Sequence, residues 1–299
     1  MTLNLKQTNT VISGAVRYHD LAYIADQDDS IGADVPHTHF HEVDEGQLAF
    51  IDTMHWHTAS IAVSQHPVSQ MIAISPNGEA FLFGSQQQSQ ERISTAHGDP
   101  IDRGHLRQVR TIGQRTFAVG MGRQVYRRDG ADHWTCLDQA IRPAIGETKG
   151  FESIDGFDEN DLYAVGWDGE IWHYNGQQWN QQESPTNLVL TRVLCAGDGQ
   201  VYASGRRGLL IVGRGDAWQP IEQEDITSDI WDLAWYDGKL YLSTMRGLYT
   251  LQGGSLVEVE FGDDTPATCY HLSVADGVMW SFGAKDIMAF DGNTWTRID

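Results

Sequence analysis

The sequence predicts an all-β chain folded as a seven-bladed β-propeller of four-stranded antiparallel sheets, with six blades as the alternative count. Three observations carry this expectation. Short apolar runs recur at a fixed step, glycine-containing turn pairs separate them, and no stretch keeps a helical period over the roughly ten residues a helix needs.

The step is 39 residues. Tyr163, Tyr202, Tyr241 and Trp280 stand in "LYAVG", "VYASG", "LYLST" and "MWSFG" at that interval, which also links Gly169, Gly208, Gly247 and Asp286, and again Gly199, Gly238 and Gly277. Trp179, Trp218 and Trp295 join the series if one interval is doubled and one residue deleted, with Leu256 or Val257 at the missing place. Between the apolar runs lie pairs such as Asp237-Gly238 and Gly253-Gly254, which accept the positive φ of tight hairpins. Each unit is therefore a four-stranded meander, too small to bury both faces alone, and neighbours must stack.

The elements follow in order. Residues 150–299 hold four regular blades, the last ending in "TWTRID" as an outer strand, and 55–149 hold two divergent blades around Phe81 and Phe117. Residues 1–54 have room for an irregular first blade, interrupted by the polar "DQDDSIGADVPHTHFHEVDEG". The whole reads as one propeller domain. Trp179 and its counterparts are expected on outer strands, wedged between neighbouring sheets.

The segments "GEIWHYNGQQW" and "DIMAFDGNTW" resemble the repeats of bacterial β-propellers of the WD, YVTN and Asp-box kinds, over residues 56–299. The resemblance implies the fold. It carries no role across, because Tyr174-Asn175-Gly176 and Phe290-Asp291-Gly292 replace the Asp-box serine turn, and the Gly-His and Trp-Asp marks are absent.

Composition narrows function. With 41 acidic against 20 basic residues the formal net charge is −21, which repels nucleic acid and anionic membrane and favours a protein partner with a basic surface. The N-terminus lacks the basic start and apolar run of a secretory signal, so a cytoplasmic chain is expected. Cys136, Cys195 and Cys269 show no CxxC spacing and are expected as free thiols.

Binding residues are sought in loops. Just before the repeat glycine of the loop between second and third strands, the 39-residue step aligns Asp168, Arg207, Arg246 and Lys285, with Gln86 and Arg123 as the earlier equivalents. Ten residues before each repeat aromatic come Arg107, Ser153, Arg192, Trp231 and Tyr270, expected near one mouth of the channel. Arginine and aromatic residues dominate interface hot spots. Charge is uneven as well: residues 101–149 carry nine bases and five acids, with Arg103, Arg107, Arg110, Arg115, Arg123, Arg127 and Arg128 as a candidate patch for an acidic group.

His37, His39 and His41 alternate at period two, which on a strand puts three imidazoles on one face, and Glu45 follows at the H-x-H-x3-E spacing of cupin metal sites. Imidazole with carboxylate suits zinc, iron or nickel, so this insertion is the one place where a divalent metal is expected. No other cofactor is.

No G-x-S-x-G, H-E-x-x-H or phosphate loop occurs. The expectation is a non-enzymatic propeller that binds a basic protein, either neutralising it, as an inhibitor of a toxin's nuclease domain would, or scaffolding it. The alternative is a hydrolase or lyase assembled at the channel mouth from residues such as Arg192, Asp232, Tyr270 and His271.

Overall fold

The computed structural model describes residues 8–144, 146–224 and 226–298. Their strands form seven four-stranded antiparallel sheets, each in sequential order, and the fold is a seven-bladed β-propeller. The six-blade alternative fails because the first sheet is complete, with strands Asn9–Tyr18, Leu21–Asp28, Thr38–Asp44 and Gln47–Met54. Numbered along the chain, blades 2 to 7 span residues 60–92, 106–136, 151–182, 190–220, 232–258 and 271–297. The sheets fall into two compact units, one of blades 6, 7 and 1 and one of blades 2 to 5.

The repeat signals have local causes. Phe117, Tyr163, Tyr202, Tyr241 and Trp280 all lie buried on second strands. Gly120, Gly166, Gly205 and Gly283 close the second strands of blades 3, 4, 5 and 7, where an added Cβ would meet the carbonyl oxygens of His105, Gly150, Val189 and Thr268 at 2.4, 2.0, 2.6 and 2.1 Å. The chain entering each first strand passes there, and only a residue without Cβ admits it.

Blade 2 departs from the expected register. Phe81 sits on its third strand, Glu79–Gly84, and Gln70–Ile74 is the second. Both middle strands are buried on both faces, so "FLFG" imitates the second-strand pattern. Gln86 consequently lies in the hairpin between third and fourth strands, and Ser75 to Gly78 form the loop between second and third.

Consecutive sheets within each unit share apolar cores. Ile72, Leu82 and Ile93 of blade 2 pack with Val109, Tyr126 and Trp134 of blade 3, and Val11, Val16 and Ile24 of blade 1 pack with Trp280, Phe282 and Ile287 of blade 7. Burial of each such large side chain stabilises by about 1.5–3 kcal/mol. The repeated tryptophans serve these seams: Trp179, opening its outer strand, donates its indole N–H to the Leu137 carbonyl at 3.1 Å, and Trp295 packs on Phe290 and Phe261 at 4.8 and 4.6 Å.

A second device joins the first strands. Gln108 Oε1 accepts from the Ile154 amide at 2.7 Å, Ser153 Oγ from Val193 at 3.1 Å, Asp155 Oδ2 from Cys195 at 2.9 Å, Asp232 Oδ2 from Leu272 at 3.0 Å and Ser273 Oγ from Val16 at 2.9 Å. Each is a side chain of one sheet holding the main chain of the next. Blade 7 meets blade 1 by the last of these and by the Val11 amide on the Ala284 carbonyl at 2.9 Å, and among the described residues no strand is exchanged between the two sheets.

Candidate partner-binding surface

The loops between second and third strands differ in backbone from blade to blade. In blades 4 and 5, Asp168-Gly169 and Arg207-Gly208 are both left-handed, with φ of 57° and 69°, and 59° and 72°. In blade 3 the order reverses to Gly122-Arg123, which places Arg123 one position later than its expected equivalents.

That shift turns Arg123 inward. Its guanidinium grips Glu170 of blade 4 through two bonds of 2.8 and 2.6 Å and lies 5.0 Å from the Trp172 ring. Burial alone would raise the Glu170 carboxyl, but Arg123 overrides it and holds the group below its ordinary range. Lys149 reaches Asp168 at 2.9 Å and Glu170 at 3.3 Å. Lys285 of blade 7 donates to the Asn9 carbonyl at 2.6 Å and to Asp29 of blade 1. Arg107 stands 3.5 Å from Glu152. Arg192, opposite Ser204, and the exposed Arg207 each make contacts of their own. Among the expected cationic positions, Arg123 and Lys285 therefore join consecutive sheets.

The arginine-rich blade 3 is likewise internally matched. Arg103 pairs with Asp138 at 2.6 Å, Arg110 with Asp155 at 2.8 Å, Arg127 with Asp129 at 2.7 Å, and Arg115 lies 3.7 Å from Glu159. Arg128, only 1% exposed, is clasped by Glu91 at 2.9 and 2.5 Å and bonds the His66 carbonyl. These side chains meet carboxylates of their own and adjoining blades, so the patch expected for an acidic ligand is occupied by the chain itself.

A different constellation stands in blades 6 and 7. Trp231 and Tyr270 immediately precede the first strands of the two sheets, and their rings lie 5.2 Å apart. The Trp231 amide bonds the Ser243 carbonyl, and Ser243 Oγ bonds the Tyr270 carbonyl at 2.7 Å, which fixes the pair. The Cys269 amide holds the Met245 carbonyl at 3.0 Å, so the loop tip of Met245, 55% exposed, and the exposed Arg246 adjoins the connection leading to Tyr270. Arg246 has no carboxylate partner among the described residues. That connection carries Glu258, Glu260 and Asp263, all exposed, while Asp264 is held by Arg297 at 2.7 Å. An aromatic pair, a methionine and an arginine thus stand on neighbouring loops of blades 6 and 7, beside a connection that carries exposed carboxylates. Spacing identified three of them; Met245 gave no repeat signal because its counterparts are Arg206 and Ala284.

Other candidates are placed as follows. Tyr270 packs on His271 at 4.3 Å, and His271 Nδ1 is 3.6 Å from Asp232, whose carboxylate also accepts the Leu233 and Leu272 amides. Cys136 and Cys269 are buried and Cys195 is half-buried; burial pushes the Cys269 thiol up to about 11. His39 and His41 gather with Asp26, their ligand atoms all within 4.8 Å of one another. His37 is engaged elsewhere, Nδ1 donating to the Val35 carbonyl at 2.8 Å and Nε2 accepting the Asp28 amide at 3.0 Å. Glu45 stands exposed at the tip of the hairpin, away from the cluster.

No family model matches the sequence. Compared with curated proteins, the chain is 46% identical over 295 residues to the immune protein Tsi7 of Pseudomonas aeruginosa, covering 96% of both. The chain belongs to the Tsi7 family of immune proteins. Solved structures similar to this Tsi7 relative include YCF48 bound to D1 peptide, with a TM-score of 0.67 at 14% identity over 96% of this chain and 93% of that one. The extracellular domain of a hybrid two-component system from B. thetaiotaomicron gives 0.69 at 12% identity, over 96% of this chain and 40% of that one. Likeness at these identities shows the propeller fold alone.

Proposed function

We propose that this protein is an immunity protein that binds and neutralises a protein toxin with a basic surface, and that the blade 6–7 patch of Trp231, Tyr270, Met245 and Arg246 anchors the complex. The 46% identity to an immune protein carries the reading. Two physical features support it. A chain of net charge −21 whose arginines are largely matched internally presents an acidic exterior, which steers a cationic partner and excludes anionic ones. Aromatic, methionine and arginine side chains held on a rigid scaffold at one loop face, with exposed carboxylates beside them, have the composition of an interface core.

The test is capture from the native host with the purified chain as bait, followed by titration of the captured protein against variants. The expected partner is a basic protein toxin. The triple change Trp231→Ala, Met245→Asp and Tyr270→Ala should weaken binding by at least about 30-fold, the effect of losing one hot spot of about 2 kcal/mol, and Arg246→Glu, at an exposed loop tip, should weaken it at an unchanged melting temperature. Wild-type affinity in the triple variant would move the interface elsewhere, and an acidic captured partner would overturn the charge argument.

A further inference from the structure

In blade 1 the second and third strands place Asp26 directly opposite His39, and His41 follows two residues on, on the same face. Asp26 is 0% exposed and His41 2%. His41 Nε2 lies 2.8 Å from Asp26 Oδ2, yet the two are not aligned as donor and acceptor: among the described residues Oδ2 and both His41 ring nitrogens are buried without a hydrogen bond. His39 Nδ1 is 3.6 Å from Asp26 Oδ1. Burying a carboxylate and an imidazole unsatisfied costs several kcal/mol, and such groups ordinarily find a partner.

A single ion beside them would bind Asp26 Oδ2 and one His41 ring nitrogen, with His39 as the third ligand. With metal–ligand bonds of about 2.1 Å, donor atoms around one ion lie roughly 3.0 Å apart in octahedral and 3.4 Å in tetrahedral coordination. The 2.8 Å between His41 Nε2 and Asp26 Oδ2 is close to the octahedral separation, and one ligand atom from each of the three residues lies within 4.8 Å of the others. The surroundings fit as well. Asn9 donates its side-chain amide to Asp26 Oδ1 at 2.5 Å and is itself held by Thr8 at 2.6 Å, orienting the carboxylate as an outer partner does and leaving Oδ2 for the ion. The Phe50 ring stands edge-on to both imidazoles, 6.2 Å from His39 and 5.5 Å from His41, while His39, 21% exposed, gives a path from solvent.

We propose that Asp26, His39 and His41 form a binding site for one divalent transition-metal ion, with Zn²⁺ the ion best matched by two neutral imidazoles and a carboxylate. The site lies in blade 1 and stands independently of the partner-binding reading.

The full chain, purified without a histidine tag, is stripped with chelator, re-equilibrated with Zn²⁺ and passed through gel filtration before metal analysis. Wild type should retain about one zinc per chain and melt higher with zinc than without. His39→Ala, at the partly exposed ligand, should fold with the melting temperature of the stripped wild type. It should lose zinc affinity by more than the roughly 10–100-fold that removal of an outer partner costs, and show no zinc-dependent stabilisation. Asp26→Asn should behave likewise, whereas His55→Ala, an exposed histidine outside the cluster, should match wild type. Wild type that takes up no zinc, or a His39→Ala variant that binds zinc as wild type does, overturns the proposal.

Discussion

Asp155 sits where three sheets meet, and replacing it by asparagine tests how the blades of one unit are held together. Its carboxylate accepts two bonds from Arg110 of blade 3, at 2.8 and 2.9 Å, and one from the Cys195 amide of blade 5, at 2.9 Å. Asparagine has the same shape but one acceptor oxygen: with that oxygen at the Oδ2 place its NH₂ faces Arg110 Nε, and with it at the Oδ1 place its NH₂ faces both the other guanidinium nitrogen and the Cys195 amide, so at least one donor loses its partner. That loss costs about 1–3 kcal/mol. Loss of the charge-assisted pair with Arg110 adds about 1 kcal/mol, the smaller figure because Arg110 is 30% exposed and water screens it. The sum, about 2–4 kcal/mol, should lower the melting temperature by roughly 4–8 °C, at the low end of the roughly 2–4 °C per kcal/mol that holds for chains somewhat shorter than this one. Calorimetry at pH 7 reads the shift, with Asp158→Asn at an exposed turn as the control. Native-state hydrogen exchange at the Cys195 amide reports which way the asparagine turns, faster exchange marking the NH₂ at the Oδ2 place. A melting temperature within about a degree of wild type, with that amide still protected, would refute the claim that side-chain-to-backbone bonds join the sheets.

Two further outcomes follow from the seams. Glu170 and Asp286 are buried, which raises a carboxyl, but Arg123 for the first and Arg297 and Thr268 for the second hold both below their ordinary values of 4.5 and 3.8. Their contribution is therefore complete above those values and lost as pH falls through the depressed ones, so Glu170→Gln should flatten the fall of melting temperature below about pH 4.5; an unchanged slope would assign acid unfolding elsewhere. Gly166→Ala should destabilise by about 1–3 kcal/mol or more, since its Cβ would meet the Gly150 carbonyl at 2.0 Å, whereas Gly130→Ala, with open space around it, should leave the melting curve unchanged.

The fold was legible because its constraints are local and repeated. In blades 4, 5 and 7 a glycine admits the entering chain at the end of the second strand, with Thr244 at that place in blade 6, and the buried aromatic of the second strand recurs at the same 39-residue step. Phe81 was misplaced by one strand because strands buried on both faces look alike without their turns. The site was less legible, since its meaning depends on partners far along the chain. Arg123 and Glu170 are 47 residues apart, and Arg128 and Glu91 are 37, so spacing displayed the cations without the acids that match them. His39 and His41 were visible by alternation; Asp26, brought beside them by the pairing of second and third strands, had no sequence signature, and Glu45 kept the right interval but turned away at the hairpin.

The joints between first strands distribute their demands unequally. The accepting oxygen must come from Gln108, Ser153, Asp155, Asp232 or Ser273, but the hydrogen it receives belongs to the main chain of residues 154, 193, 195, 272 and 16. Every amino acid except proline supplies that hydrogen. The joint itself therefore places no demand on the side chain of the receiving residue, and what restricts Ile154, Val193 and Val16 is their burial in the apolar cores rather than the bond that holds their peptide groups.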